Sequence, residues 1–272
     1  MRILVVSDLH ANPAALMAVR ERFDVCLCLG DLVDYGPDPA PCIEWVRKHA
    51  TYTVRGNHDH GVAQDVVIQG ASGFRYLTMA TRKTTSPLLT DRDRRFLADL
   101  PTTQLLTIDG FRIMMVHASP RDPMDEYVLP DPKAWAARLA GIKVDFLLVG
   151  HTHIPFKLNA GRTTVVNPGS VGLQRDGNPK ARYAIIEHGK VELKQIDYDI
   201  QQTISSVDAS SLDTFAKELL TNVYNVGRYV HPEGLGVPVP TAKDGAYYLN
   251  GNGNGNGNGK HSNGKSEIVM ED

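Results

Sequence analysis

Carboxylate, imidazole and carboxamide side chains recur in five short polar segments, each closing a hydrophobic run: Asp8-Leu9-His10, Gly30-Asp31 through Asp34, Gly56-Asn57-His58-Asp59, His117, and Gly150-His151-Thr152-His153. Five of the ten histidines fall in these segments. Asp8 and His10 are two apart, so on an extended segment both side chains point the same way and can bite one cation. His151 and His153 repeat the spacing, each able to serve a different ion. Asp31, a carboxylate, can bridge two ions, and Asn57 and His117 complete a second shell. Two mixed nitrogen and oxygen shells sharing one carboxylate suit Mn²⁺, Fe²⁺ or Zn²⁺ better than Mg²⁺ alone. An isolated Asp-x-His is often a cap, and a lone histidine is often a core or surface residue. Five such segments in one chain are the signature of a binuclear metal centre.

The elements that must position them follow from periodicity. Strand-like Ile3–Ser7, a helix over Pro13–Arg22 capped by Asn12, strand Val25–Leu29, helix Ala40–Lys48 and strand Tyr52–Val54 make a βαβαβ order, hence parallel strands. Asp8, Asp31 and Asn57 then sit just past the carboxyl ends of strands, where such sheets carry their chemistry. Residues 60–101 form a helical insert, with Gly73–Lys83 and Asp91–Leu100 as helices and Thr90 as a cap. The insert is either a lid over the site or a structural flank. Leu105–Ile108 and Phe111–Val116 read as a hairpin around Asp109-Gly110 that delivers His117. A helix at Pro132–Leu139, strand Phe146–Val149 and strands at Thr164–Val166, Arg182–Glu187 and Val191–Ile196 follow. So many strands imply an α/β fold of two packed mixed sheets flanked by helices. Residues 1–205 are expected to form the catalytic domain, 206–230 a helix packed on its core, and 231–272, with five Asn-Gly pairs, a flexible tail.

Composition narrows the function. The 272 residues are 42% hydrophobic and 22% charged, ordinary for a globular protein. A formal net charge of −2 offers no global field for nucleic acid or an anionic membrane. No basic stripe with interleaved aromatics is visible. A strand begins immediately after Met1-Arg2, which leads us to expect a cytoplasmic protein without a membrane span. Cys26, Cys28 and Cys42 read as small buried hydrophobes, because no second Cys pair completes a thiolate site. Oligomeric state is not legible.

With these segments in view the chain resembles the calcineurin-like metallophosphoesterase superfamily over about residues 1–200, through Asp8-Leu9-His10, Gly30-Asp31-Leu32-Val33-Asp34, Gly56-Asn57-His58-Asp59, His117-Ala118-Ser119 and Gly150-His151-Thr152-His153. The resemblance implies one metal held by Asp8, His10, Asp31 and His153, and a second by Asp31, Asn57, His117 and His151. It implies two divalent ions, Mn²⁺ foremost with Fe²⁺, Zn²⁺ or Ni²⁺ as alternatives, acidifying a shared water that attacks a small phosphate ester in line. His58 would protonate the leaving oxygen, oriented by Asp34, and Arg55 would contact a phosphate oxygen. Asn167-Pro168-Gly169-Ser170 resembles a further family segment that shapes the loop beside the metals. Tyr35 and Asp59 stand where protein serine/threonine phosphatases and symmetrical diadenosine-tetraphosphate hydrolases carry Arg and Glu. The chain is therefore closer to the small bacterial and archaeal phosphodiesterases. Arg121, Asp122 and Tyr127 are polar candidates for the pocket wall. A phosphomonoesterase, a dinucleoside polyphosphate hydrolase and a non-catalytic metal-binding scaffold are the alternatives. The scaffold would be expected to have lost ligands or His58, and all are present.

Overall fold

The computed structural model describes residues 1–68 and 73–230. Strands β1 (Arg2–Val6), β2 (Val25–Cys28) and β3 (Tyr52–Thr53) pair in parallel, joined by helices α1 (Pro13–Ala18) and α2 (Pro39–His49). Helices α3 (Asn57–Ala63), α4 (Gly73–Thr85) and α5 (Asp91–Asp99) come next, followed by the hairpin β4 (Thr103–Ile108) and β5 (Phe111–Val116). Then follow α6 (Pro132–Arg138), β6 (Phe146–Leu148), β7 (Phe156–Ala160), β8 (Thr163–Asn167), β9 (Ala181–Glu187) and β10 (Lys190–Ile196), and the described chain closes with α7 (Ile200–Ala209) and α8 (Thr214–Val226).

The strands form two mixed five-stranded sheets, ordered β10-β9-β1-β2-β3 and β4-β5-β6-β8-β7. Strand alternation builds the layers. Ile3 and Val5 of β1 point into a shared core with Ile113, Met115, Phe146, Leu148 and Val166 of the second sheet. Leu4 and Val6 point the other way, onto Leu16, Ile43 and Val46 of the helices. On the outer face of the second sheet, Met114, Leu147 and Val165 pack on Trp135 of α6. All three cysteines are free and buried among apolar neighbours, and burial pushes the Cys26 thiol up to about 12. No helix among the described residues is long and apolar enough to cross a membrane.

The structure departs from the sequence reading in four places. Helix α1 stops at Ala18 instead of Arg22, because Arg22 and Asp24 are tied to Arg2 at the start of β1 through a side-chain bond to the Arg22 carbonyl and the Arg2 N–H on Asp24. Strand β7 is unanticipated; its short Lys157-Leu158-Asn159 pattern becomes a strand through antiparallel pairing with β8. The helical insert, expected from residue 60, begins earlier, with helix Asn57–Ala63 starting on the motif itself. Finally, α7 is capped by Asp199 and contains residue 205, so the expected division at 205 falls inside a helix. The Asn-Gly tail lies outside the described residues.

Helix α8 buries Leu219, Leu220, Val223 and Tyr224 against Tyr76, Leu77 and Ala80 of α4, with Tyr35 and Leu173 in the same cluster. The insert helix is thereby held on two sides, by α8 and by the loop that carries Asp34 and Tyr35. Among the described residues α4 is a flank of the site.

Candidate metal centre

The loops after β1 and β2 are zipped together, with the amides of Asp8, His10 and Ala11 donating to the carbonyls of Gly30, Asp31 and Leu32. The Gly150 amide donates to the His117 carbonyl, and the Gly172 amide to that of Asp8. Five separate stretches of chain thus converge at one end of both sheets. Of the eleven described non-glycine residues with positive φ, eight lie here: Asp8, His10, Ala11, Asp31, Asp34, Tyr35, His151 and His153. Left-handed backbone is costly for such residues and persists only where surrounding structure overrides it.

The side chains meet in overlapping groups. Asp8, His10 and His153 lie within mutual reach of one ion, and so do Asp31, His117 and His151; a third group joins His10, Asp31 and His58. Asp31 is the hub. Its Oδ2 lies 3.1 Å from His117 Nε2, 3.8 Å from His10 Nε2 and 4.0 Å from His58 Nε2, while its Oδ1 accepts the His58 backbone N–H at 3.0 Å. Asn57 offers a buried Oδ1 with no hydrogen-bond partner.

The protonation pattern argues that cations belong here. His10 Nδ1 lies 2.9 Å from the Val33 carbonyl, His117 Nδ1 lies 2.7 Å from that of Leu29, and His153 Nδ1 meets that of Leu173. A carbonyl only accepts, so each Nδ1 carries the hydrogen; the neutral rings of His10 and His153 turn an Nε2 lone pair inward, and His117 turns its Nε2 toward Asp31 Oδ2. The Nε2 atoms of His10 and His153 then face one another at 3.1 Å. Two lone pairs at that distance repel unless a positive charge is shared between them. Asp8 Oδ2 is likewise buried beside them without a hydrogen-bond partner.

Burial holds His10 and His153 well below the ordinary histidine range, and burial with the His117 charge lowers His151 to about 3, so all three are neutral and available as ligands. Burial also opposes charge on His117, but the Asp31 carboxylate overrides it and raises His117 to about 10. Asp31 itself is desolvated yet stays well below the usual carboxylate range, held there by His117 and His58. A proton on His117 does what a metal cation would do at the same place. The donor set fits divalent cations, with close packing around it: a Cβ on Gly150 would lie 2.0 Å from Ser7 Oγ and 2.8 Å from Asp8 Oδ2.

His58 packs 5.0 Å from the His10 ring but is anchored differently. Its Nδ1 lies 2.7 Å from Asp34 Oδ2, which orients the ring. Asp34 is fully buried and also takes Arg82 of α4, through Nη2 at 2.5 Å and Nε at 3.1 Å. Arg82 escaped the sequence reading, and Asp59 was read there as a motif position without a structural role. The Asp59 carboxylate accepts the amides of Asp31 and Leu32, each at 2.8 Å, and of Gly56 at 3.0 Å, so it holds the bridging-carboxylate loop against α3. The signal for Asp59 was its capping-box spacing from Gly56; no local signal pointed to Arg82. Burial and the neighbouring Asp31 push Asp59 up to about 7.

The remaining candidates divide. Arg55 is not brought into the cluster; its Nη1 donates to the Ala98 carbonyl at 2.9 Å. Asn12 is a helix cap, accepting from the Ala15 amide and donating to the Gly172 carbonyl. Asn167 Nδ2 donates to the Gly150 carbonyl at 2.6 Å and Ser170 Oγ to the Asp8 carbonyl at 2.7 Å, so this segment does shape the loops. Tyr127 reaches the site, its ring 5.5 Å from that of His151. Asp122 folds back on its own loop, accepting the amides of Met124 and Asp125, and the Arg121 amide donates to Ser119 Oγ.

Comparison with known proteins agrees with this arrangement. Residues 1–190 match the calcineurin-like phosphoesterase superfamily domain. The chain is 30% identical over 241 residues to the protein MJ0912 of Methanocaldococcus jannaschii, covering 80% of this chain and 96% of that one. It is 26% identical over 203 residues to phosphodiesterase YfcE of Escherichia coli, covering 69% and 88%. Among solved structures, a metallophosphoesterase from Sphaerobacter thermophilus superposes with a TM-score of 0.71 at 30% identity, covering 84% of this chain and 99% of that one. The chain belongs to the calcineurin-like phosphoesterase superfamily.

Proposed function

We propose that this member of the superfamily is a phosphodiesterase that uses two divalent cations, held by Asp8, His10, Asp31 and His153 on one side and by Asp31, Asn57, His117 and His151 on the other. The observation that carries the reading is Asp31 at the hub of the inward-facing imidazoles, beside the His10 and His153 Nε2 atoms that face one another at 3.1 Å and repel unless a cation lies between them. When bound, such ions supply Lewis acidity, which neutralises phosphoryl charge and lowers the pKa of water. Mn²⁺ suits the mixed donors best.

The chain's own residues do the rest. His58 keeps Nδ1 on Asp34 and presents Nε2 toward the cluster, where it can deliver a proton to the departing oxygen. Arg82 fixes Asp34, so the acid's orientation depends on the insert. Tyr35 and Asp59 are neutral or inward-turned here: Asp59 holds backbone, and the Tyr35 ring packs 4.6 Å from that of His10. Tyr35, standing where the protein phosphatases carry Arg, leaves the site without that cation. The similarity to phosphodiesterase YfcE supports the diester assignment.

The test is metal analysis of the purified protein together with rates on bis-nitrophenyl phosphate and nitrophenyl phosphate. Chelation should abolish both rates, Mn²⁺ should restore them, and kcat/KM should be higher for the diester. Asp31→Asn should lose metal as well as rate. Full activity in chelator would refute metal dependence, and a better monoester rate would make the protein a phosphomonoesterase.

A further inference from the structure

Apart from Arg55, which donates to the Ala98 carbonyl, inward-turned arginines elsewhere among the described residues meet carboxylates: Arg2 pairs with Glu21, Arg47 with Asp93, Arg82 with Asp34, Arg138 with Glu126 and Arg182 with Asp176. Arg175 does not. It lies in the loop after β8, two residues beyond the Leu173 carbonyl that orients His153. Its guanidinium lies over the Phe74 ring of α4, 4.1 Å from the centroid. Its Nη2 is 3.3 Å from Tyr35 Oη, Tyr127 stands among its electrostatic neighbours, and its Nε is buried without a partner.

These neighbours place it beside the metal centre. The Tyr35 ring is 4.6 Å from the ring of His10 and 4.9 Å from that of His58, and the Tyr127 ring is 5.5 Å from that of His151. The guanidinium thus spans from the ring beside the first ligand group to the ring beside the second. Its charge acts on Asp8, His10, His151 and His153. The groups that hold it are the Tyr35 hydroxyl and a π face, both neutral. Such a cradle fixes the plane of a guanidinium with no carboxylate hydrogen-bonded to it, and a planar fork of that kind matches phosphoryl oxygens.

We propose that Arg175, and not Arg55, grips a non-bridging oxygen of the phosphoryl group at the metal centre, with Phe74 of the insert and Tyr35 holding the guanidinium in place. The inference rests on the proposed function in taking the ligand to be a phosphoryl group. It gives the insert a second task, since α4 supplies both Phe74 beneath Arg175 and Arg82 behind Asp34.

The experiment is calorimetric titration of inorganic phosphate into the full chain loaded with Mn²⁺, comparing the wild-type protein with Arg175→Gln, Arg175→Lys and Arg55→Gln. Metal content is measured on the same samples. Arg175→Gln should weaken phosphate binding roughly 10- to 100-fold, the scale of one lost charge-assisted hydrogen-bond pair, at unchanged metal content. Arg175→Lys keeps the charge without the fork and should fall between. Arg55→Gln should leave the affinity within about twofold of wild type, because that guanidinium is engaged with Ala98. Equal phosphate affinity in wild type and both Arg175 variants, or no phosphate binding by the wild type, overturns the proposal. A loss of metal in both Arg175 variants also overturns it, by making the residue structural. Phosphate binding that depends on Arg175 in a protein that cleaves neither nitrophenyl ester would instead leave this site standing and refute the catalytic reading.

Discussion

Replacing Arg82 with Met should destabilise the protein and slow it selectively, and the size of both effects can be worked from the site. Asp34 is fully buried, and its Oδ2 receives Arg82 Nη2 at 2.5 Å and His58 Nδ1 at 2.7 Å; the Arg82 side chain is only 13% exposed. Removing one partner of a buried ion pair costs about 3–5 kcal/mol, because the other charge is left desolvated. His58 still contacts the carboxylate, so roughly 2–4 kcal/mol is expected here. For a chain of this size that lowers Tm by roughly 5–15 °C. The assay is urea unfolding of chelated protein, which removes any contribution from metal binding. Asp34→Asn leaves Arg82 unpaired and should also destabilise, but combining it with Arg82→Met should cost less than the sum, with a coupling of about 2 kcal/mol. In the loaded enzyme, a freer Asp34 orients His58 less well, so Arg82→Met should lose about tenfold more rate on an ester with a poor leaving group than on a nitrophenyl ester. Additivity of the two substitutions within about 0.5 kcal/mol would refute the clamp.

His58→Ala should cost on the order of 10²–10⁴ in rate on esters with poor leaving groups and much less on nitrophenyl esters; equal losses on both, measured alongside metal content, would make His58 structural. Gly150→Ala should lose metal and stability together, since its Cβ would lie 2.0 Å from Ser7 Oγ, and a variant with wild-type metal content and Tm would contradict that packing. Far from the centre, burial opposes the charge of Glu21, yet Lys194, Arg2 and Tyr183 hold its carboxyl down at about 2. A depressed carboxylate stabilises the fold above the unfolded-state pKa, and that stability disappears as pH falls through the folded value. Glu21→Gln should therefore cost on the order of 1–3 kcal/mol at pH 7. The gap to wild type should close between about pH 4.3 and pH 2 in denaturant titrations; a pH-independent gap would rule out the ionic origin.

Much of the site could be read before folding because its residues are bound to local patterns. Asp8, Asp31, His117 and His151 each follow a run of strand-forming residues, and a strand end is a fixed place in any sheet. Asn12 and Thr90 were legible as caps for the same reason, each acting on an amide within three residues. The βαβαβ start and the Asp109-Gly110 hairpin are likewise short-range, and the two-sheet α/β class followed from them. What the sequence alone did not reveal depends on partners far away in the chain. Strand β7 exists through its pairing with β8, and α1 ends early because Arg2 captures the Arg22 carbonyl. Arg82 lies 48 residues from Asp34, and Arg175 lies 140 residues from Tyr35. In sequence both look like ordinary surface arginines on a polar stretch, and Arg55 looked the better phosphate ligand because it adjoins the motif. Adjacency along the chain places a backbone but does not aim a long, flexible side chain. Its direction is chosen by whichever carbonyl, carboxylate or ring the packed helices bring within about 3–4 Å, and only the tertiary structure sent Arg55 to Ala98, Arg82 to Asp34 and Arg175 to the mouth of the metal centre.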